Sequence, residues 1–166
     1  MKVRLFRYKG SSFAKLSGID GGTPAQVKFL HDYIETIARF KTPISPNPVI
    51  LVVDQDSGGK KMYDEAIKVN SGVQPFANVC SHIAHNVYVV CVPLVAGAES
   101  AIEDLHQSRT LRTILNGKTF SKKNDLDTIA HYGKVAFSQF VKKNCTSIDF
   151  SGFDGLLSRI TQAIKP

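Results

Sequence analysis

Asp54-Gln55-Asp56-Ser57-Gly58-Gly59-Lys60-Lys61 places two carboxylates two residues apart, directly after the apolar run Val49-Ile-Leu-Val-Val53. Hard oxygen donors at that spacing both reach one hard cation, and Mg²⁺ is the usual occupant where phosphate is also present. Asp beside Gly also forms turns for purely local reasons, so a turn-forming role stays open. Asp20, within Gly18-Ile19-Asp20-Gly21-Gly22-Thr23-Pro24, stands where a strand is expected to end and a helix to begin. A carboxylate there lies beside the amides of a helix N-terminus, or else supports a Gly-rich turn. The spacing fails the G-x-G-x-x-G pattern, which removes a Rossmann cofactor site. Glu99 and the pair Glu103-Asp104 follow a second apolar run. A helix over Ser100 to Leu105 would put Glu99 and Glu103 on one face, either toward the same edge or as a solvated helix end.

These positions acquire meaning from the elements that carry them. Val49–Val53, bounded by Pro48 and Asp54, has the continuous apolar character of a strand buried on both faces in a parallel sheet, and Val87–Val92 repeats it. Thr23-Pro24 is a helix-start signal, and Val27, Leu30, Ile34, Ile37 and Ala38 recur at helical spacing up to about Phe40. A weaker helix is expected from Gly59 to Val69 through Met62 and Ala66, and a strand or hairpin within residues 3–19. Alternating strands and helices predict an α/β fold, an open and mainly parallel sheet with flanking helices and a C-terminal helical extension. Ligands of such sheets bind outside the carboxyl ends of the strands, which is where Asp54 stands.

Beyond Pro93 the pattern changes. One or two helical turns are expected over Ser100–Leu105, then a basic, irregular stretch over 106–124. Amphipathic helices follow near 126–142 (Ile129, Tyr132, Ala136, Phe140) and 151–164 (Phe153, Leu156, Leu157, Ile160, Ile164). No Gly/Ser-rich linker intervenes, so residues 1–166 read as one domain, an α/β core over 1–105 with the extension over 106–166.

The chain has 166 residues, 43% of them hydrophobic, as an ordinary folded domain has, and this excludes disordered and fibrous classes. The longest apolar run, Val87 to Ala98, is cut by Pro93 and Gly97, so no membrane span is expected. No signal-peptide pattern stands at the start, and three cysteines without a C-x-x-C pair fit a reducing, cytoplasmic setting. The net charge of +7 is concentrated. Residues 1–19 hold five basic and no acidic side chains, residues 105–124 hold five more, and the remaining 11 basic face all 14 acidic ones. Such segments on a near-neutral body form a polyanion-binding footprint, with surface solubility as the plainer alternative.

Other motifs are weaker. Cys80-x-His82-x-x-His85 offers three zinc ligands but no fourth at finger-like spacing. Gly117-Lys118-Thr119 ends like a P-loop, yet Arg112 occupies the position of its first Gly. His31, His106 and His131 fall within or near helices, where a satisfied or solvated imidazole is the ordinary outcome.

The strand-end Asp54-x-Asp56-x-x-Gly59 resembles the DxDxxG motif of Toprim domains, the Mg²⁺-dependent module of topoisomerases, bacterial primases and several nucleases. Further segments resemble the Toprim-like region fused behind reverse transcriptases in some retrons, which are bacterial anti-phage defence systems. They are Arg4-Leu5-Phe6-Arg7-Tyr8-Lys9-Gly10, Val49 to Asp54, His85-Asn86-Val87-Tyr88-Val89-Val90, Ile102-Glu103-Asp104-Leu105, Gly117-Lys118-Thr119-Phe120 and Tyr132-Gly133-Lys134. The family usually carries Glu at the end of its first strand. Here the matching residue is Asp20, one methylene shorter. There is no Tyr-x-Asp-Asp, hence no polymerase centre in this chain.

The resemblance implies metal-dependent cleavage of RNA or DNA, with Mg²⁺ or Mn²⁺ held by Asp54 and Asp56 with help from Glu103, and Asp20 positioning or deprotonating a water. Lys60, Lys61, Arg109, Arg112, Lys118 and Lys134 are the candidates for holding phosphates, while Tyr88 and Tyr132 have no topoisomerase-like setting. The implied partners are a reverse transcriptase domain and an RNA–DNA hybrid. Two rivals stand beside this reading. A haloacid dehalogenase-type phosphatase also places DxD after a buried strand but wants Thr or Val where this chain has Gly58. A non-catalytic nucleic-acid-binding or assembly module would use the basic segments alone.

Overall fold

The computed structural model of the chain describes Ser12 and residues 22–40, 43–73, 79–123 and 125–164. The expected strand or hairpin over 3–19, the first basic segment and Asp20 lie outside the described residues. The first elements are helix α1 (Gly22–Arg39), strand β1 (Val49–Val53), helix α2 (Ser57–Val69) and strands β2 (Cys80–Ala84) and β3 (Val87–Cys91). β1 and β3 pair in parallel, Val49 opposite Val87 through Val53 opposite Cys91, as their unbroken apolar character predicts.

The sheet order is β1-β3-β2, and β2 runs antiparallel to β3. The described sheet is therefore mixed rather than mainly parallel. The cause is local: the His85-Asn86 turn between Ala84 and Val87 is too short for anything but a chain reversal, and His85 takes φ 54° to make it. Asn86 anchors this corner. Its side chain donates to the Asn47 carbonyl (2.6 Å) and accepts from the Tyr33 hydroxyl (3.2 Å).

Side chains alternate across the pleat, and both faces are covered. Val49, Leu51, Val53, Val87, Val89 and Cys91 face α1 and α2, packing with Leu30, Met62, Tyr63 and Ala66. Ile50, Val52, Val90 and Val92 face the other way, against Leu105, Phe153, Leu156 and Ile160. Those partners belong to two 3₁₀ turns, Ile102–Leu105 and Ser151–Phe153, and to a C-terminal helix at Asp154–Ile164. The expected helix near 151–164 thus forms in its larger part.

The expected helix over 126–142 does not form as a unit. Its second half is a helix at Lys134–Lys143, while His131–Tyr132 pairs in parallel with Thr119–Phe120. Ile129, counted in the apolar stripe, is 87% exposed. The periodicity fails because Asp127 caps its own turn, accepting from the Ile129 amide at 2.9 Å, and the Tyr132 hydroxyl is drawn to the Thr113 carbonyl at 2.7 Å. Phe137 is the buried anchor of the helix that does form, stacked on Phe120 at 4.3 Å between ring centroids. Along the basic stretch, a short helix α3 at Ser108–Leu111 precedes this sheet of β4 (Thr119–Phe120) and β5 (His131–Tyr132). The helices Lys134–Lys143 and Asp154–Ile164 are α4 and α5. No helix among the described residues is long and apolar enough to cross a membrane.

Candidate functional site

The carboxyl ends of β1 and β3 share one edge, and the chain beyond β3 is folded back over it. After Pro93 a tight turn closes with the Ala98 amide on the Val95 carbonyl at 3.1 Å. The chain then returns to pair Ser100 with Gln55, through backbone bonds of 2.8 and 3.1 Å. The buried Ser100 hydroxyl donates to the Pro93 carbonyl at 2.6 Å and locks the return. That bridge is what carries the 3₁₀ turn Ile102–Leu105 to the end of β1.

Each carboxylate of the Asp54/Asp56 pair then finds one backbone donor. Asp54 Oδ1 accepts from the Ile102 amide at 2.9 Å, and Asp56 Oδ1 accepts from the Gly59 amide at 2.9 Å as the N-cap of α2. Among the described residues these bonds use one oxygen of each and leave the other. Burial pushes the Asp54 carboxyl above its ordinary range; the Ile102 amide pulls it down, Glu103 pushes it up, Lys134 pulls it down and Asp56 pushes it up. Glu103, Lys134 and Asp56 therefore all act on Asp54 at this edge.

Glu103, 15% exposed, forms an ion pair with Lys134 (Oε2 to Nζ, 3.3 Å). Asp104 turns elsewhere: it accepts from the Ala101 amide at 2.9 Å and pairs with Lys122 at 2.6 Å. Glu99 precedes the turn and is exposed, so the expected shared helical face of Glu99 and Glu103 is not made. The 3₁₀ turn begins only at Ile102 because Ser100 is held in the β-like bridge.

Beside the acidic pair lies a cleft of about 180 Å³ lined by Gly22, Thr23, Gln26, Val52, Val53, Asp54, Asp56 and Gly59. It opens between the N-termini of α1 and α2, whose dipoles favour an anionic ligand. Gly58 packs against two of these lining residues: a Cβ there would stand 2.8 Å from Thr23 Oγ1 and 3.1 Å from Asp56 Oδ1.

The other expected phosphate contacts are not gathered here. Lys60 pairs with Asp64 at 2.9 Å along α2, and Lys61 is an exposed residue of the same helix. Arg109 acts on Asp149, and Arg112 ends α3, its amide donating to the Ser108 carbonyl at 3.0 Å. Lys118 donates to the Thr128 carbonyl at 2.5 Å. The P-loop-like Gly117-Lys118-Thr119 belongs to a tight reversal, with Asn116 and Gly117 at φ 51° and 77° between bridged Leu115 and Lys118. His82 is likewise committed, its Nε2 lying 2.8 Å from the His85 carbonyl and its ring against Tyr88. Sequence reasoning missed Lys122, Thr23 and Gln26 as neighbours of this edge. Only the acid-free run around Lys122 signalled one of them.

Whether Mg²⁺ suits this edge can be asked of the donors themselves. No three His, Cys, Asp or Glu side chains among the described residues group as a ready-made metal shell. Mg²⁺ requires less, since it keeps several waters and is held by one or two carboxylates together with substrate phosphates. Asp54 and Asp56 fit that requirement, each with an oxygen uncommitted among the described residues. No protein-family model matches the chain, and no solved structure matches it significantly.

Proposed function

We propose that the chain is a Mg²⁺- or Mn²⁺-dependent nuclease that hydrolyses phosphodiester bonds of RNA or DNA. The observation that carries this reading is the return of Ile102–Leu105 over the end of β1, which adds Glu103 to a half-buried edge already holding Asp54 and Asp56. Carboxylates crowded out of water repel one another and call for a cation. Asp54 and Asp56 would hold the metal, with Glu103 alongside. When bound, the metal supplies charge stabilisation on a phosphate oxygen. The chain's own residues do the rest. The Ile102 and Gly59 amides fix the two carboxylates, the α1 and α2 N-termini favour the anionic substrate, and Lys134 holds a phosphate at the edge of the cleft. Asp20 positions or deprotonates the attacking water in this reading. Toprim membership, and a place beside a reverse transcriptase and its RNA–DNA hybrid in anti-phage defence, belong to the same proposal.

A phosphatase of the haloacid dehalogenase type is less well supported, because the space around Gly58 takes neither Thr nor Val without displacing Thr23 or Asp56. The non-catalytic binding module has one observation in its favour: among the described residues no three ligating side chains converge.

The purified chain and Asp54→Ala, each with labelled RNA, single-stranded DNA, duplex DNA and a small phosphomonoester in Mg²⁺, Mn²⁺ or EDTA, separate the three. Metal-dependent cutting of polymer, lost in Asp54→Ala, is the expected result. Salt-sensitive binding without cutting, unchanged by the substitution, overturns it in favour of the module; release of phosphate from the monoester alone favours the phosphatase.

A further inference from the structure

The extension places a lysine on each acidic residue of the 3₁₀ turn: Lys134 on Glu103 at 3.3 Å and Lys122 on Asp104 at 2.6 Å. The two pairs differ in position. Asp104 is tied to its own turn through the Ala101 amide, whereas Glu103 acts on Asp54 across the edge. Lys134 is also set against local preference. It is the first residue of α4, Gly133 gives that helix no side-chain cap, and its first turn has no acidic residue. A cation at the positive end of a helix dipole is unfavourable, and a carboxylate would be the favoured choice there. The helix therefore does not account for this charge, and Glu103 does.

Glu103 is the less exposed partner, at 15% against 45% for Lys134. Its Oε2 is buried and the lysine meets it outside hydrogen-bonding geometry, so that oxygen has no hydrogen bond among the described residues. Among the described residues, that carboxylate oxygen is held by a half-exposed ammonium alone. With one partner half-exposed, such a pair holds only weakly, so Lys134 is a weak competitor for that oxygen.

We infer that Lys134 is an exchangeable counterion, which pairs with Glu103 and gives it up when a divalent cation settles on Asp54 and Asp56 beside Glu103. This rests on the metal centre proposed above and adds a positioning role. Cation loading frees the Lys134 ammonium to turn toward substrate phosphate, so the order of events is metal first, then grip on the polymer.

The test is Mn²⁺ binding at low salt, read by electron paramagnetic resonance of the free ion and by calorimetry, on the full chain with Lys134→Met, Lys122→Met and Asp54→Ala. Circular dichroism checks that each is folded. With the competitor removed, Lys134→Met is expected to bind Mn²⁺ about fivefold more tightly than the parent. Lys122→Met, which removes the same charge from the neighbouring pair, is expected to stay within about twofold of the parent. Asp54→Ala is expected to lose the site. Unchanged or weaker binding in Lys134→Met overturns the exchange, as does equal tightening in Lys122→Met, which would mark a general charge effect. A folded parent that takes up no Mn²⁺ overturns the metal centre itself, a separate outcome from failure of the exchange.

Discussion

Gly58→Ala sets two effects of opposite sign against each other beside Thr23 and Asp56, two residues that line the cleft. Position 58 lies in the first turn of α2, where Ala in place of Gly is expected to stabilise by up to about 1 kcal/mol through helix propensity alone. The added methyl would stand 2.8 Å from Thr23 Oγ1 and 3.1 Å from Asp56 Oδ1, both inside ordinary contact distance. Relief requires either rotation of the β-branched Thr23, which is confined to a few rotamers, or retreat of Asp56 from the Gly59 amide that it caps at 2.9 Å. Overpacking costs about 1–3 kcal/mol, and loss of an N-cap costs about 0.5–2 kcal/mol, so strain outweighs propensity. A net destabilisation of about 1 kcal/mol is expected, a fall in Tm of roughly 2–4 °C for a domain of this size. Urea midpoints of Gly58→Ala, Thr23→Ala and the double variant complete a cycle, in which Thr23→Ala recovers about 1 kcal/mol of the loss. Mn²⁺ affinity should also drop in Gly58→Ala although no carboxylate has been removed. A single variant more stable than the parent, or a cycle without coupling, would refute the packing of α1 against α2 on which the cleft depends.

Asp54→Asn should abolish metal-dependent cleavage while raising Tm at neutral pH. Because burial raises the folded carboxyl above its unfolded value, the parent's stability is greatest below the unfolded value and declines as pH rises through the interval between the two; Asn keeps the Ile102 bond without that decline. The Tm difference, followed from about pH 3 to pH 8, should therefore grow with pH, and a flat difference would contradict the burial argument. Phe137→Ala removes a side chain that is 2% exposed, stacked on Phe120 and edge-on to His106, and should cost about 3–5 kcal/mol by urea unfolding. Burial pushes the Cys91 thiol up to about 12, so iodoacetamide at neutral pH should label the exposed Cys145 and spare Cys91 until the chain is unfolded, as mass spectrometry of the peptides would report.

What could be read in advance follows from how local each signal is. Val49–Val53 and Val87–Cys91 were legible because a strand covered on both faces needs an unbroken apolar run, and few other elements do. α2 was legible from Met62 and Ala66, and Asp54 and Asp56 from their place after β1. Cys80–Ala84 was not, because a short edge strand buries only Ser81 and Ile83 through alternation, and its Cys and His drew the eye to metal chemistry. Residues 126–133 defeated helical periodicity because the chain is held there by distant partners, the backbone of Thr119–Phe120 and the Thr113 carbonyl. The pairing of Lys134 with Glu103 and of Lys122 with Asp104 spans 31 and 18 residues of chain, and no spacing rule reaches that far. Asp20 lies outside the described residues, so its part in the site rests on the sequence alone.

The sheet has one face covered by segments that precede or adjoin its strands and the other by the two 3₁₀ turns and α5. On the ribosome this imposes a schedule. Val53, Val87 and Val89 can be shielded as soon as β3 has been made, since α1 and α2 are already present, but Ile50, Val52, Val90 and Val92 wait for residues 154–164 to be made. Through the synthesis of residues 92–164, a nascent chain would carry an uncovered aliphatic surface on an otherwise ordered sheet. A premature stop in that interval should therefore yield an insoluble fragment, whereas loss of a residue or two from the exposed Cys145–Ser147 stretch should be tolerated.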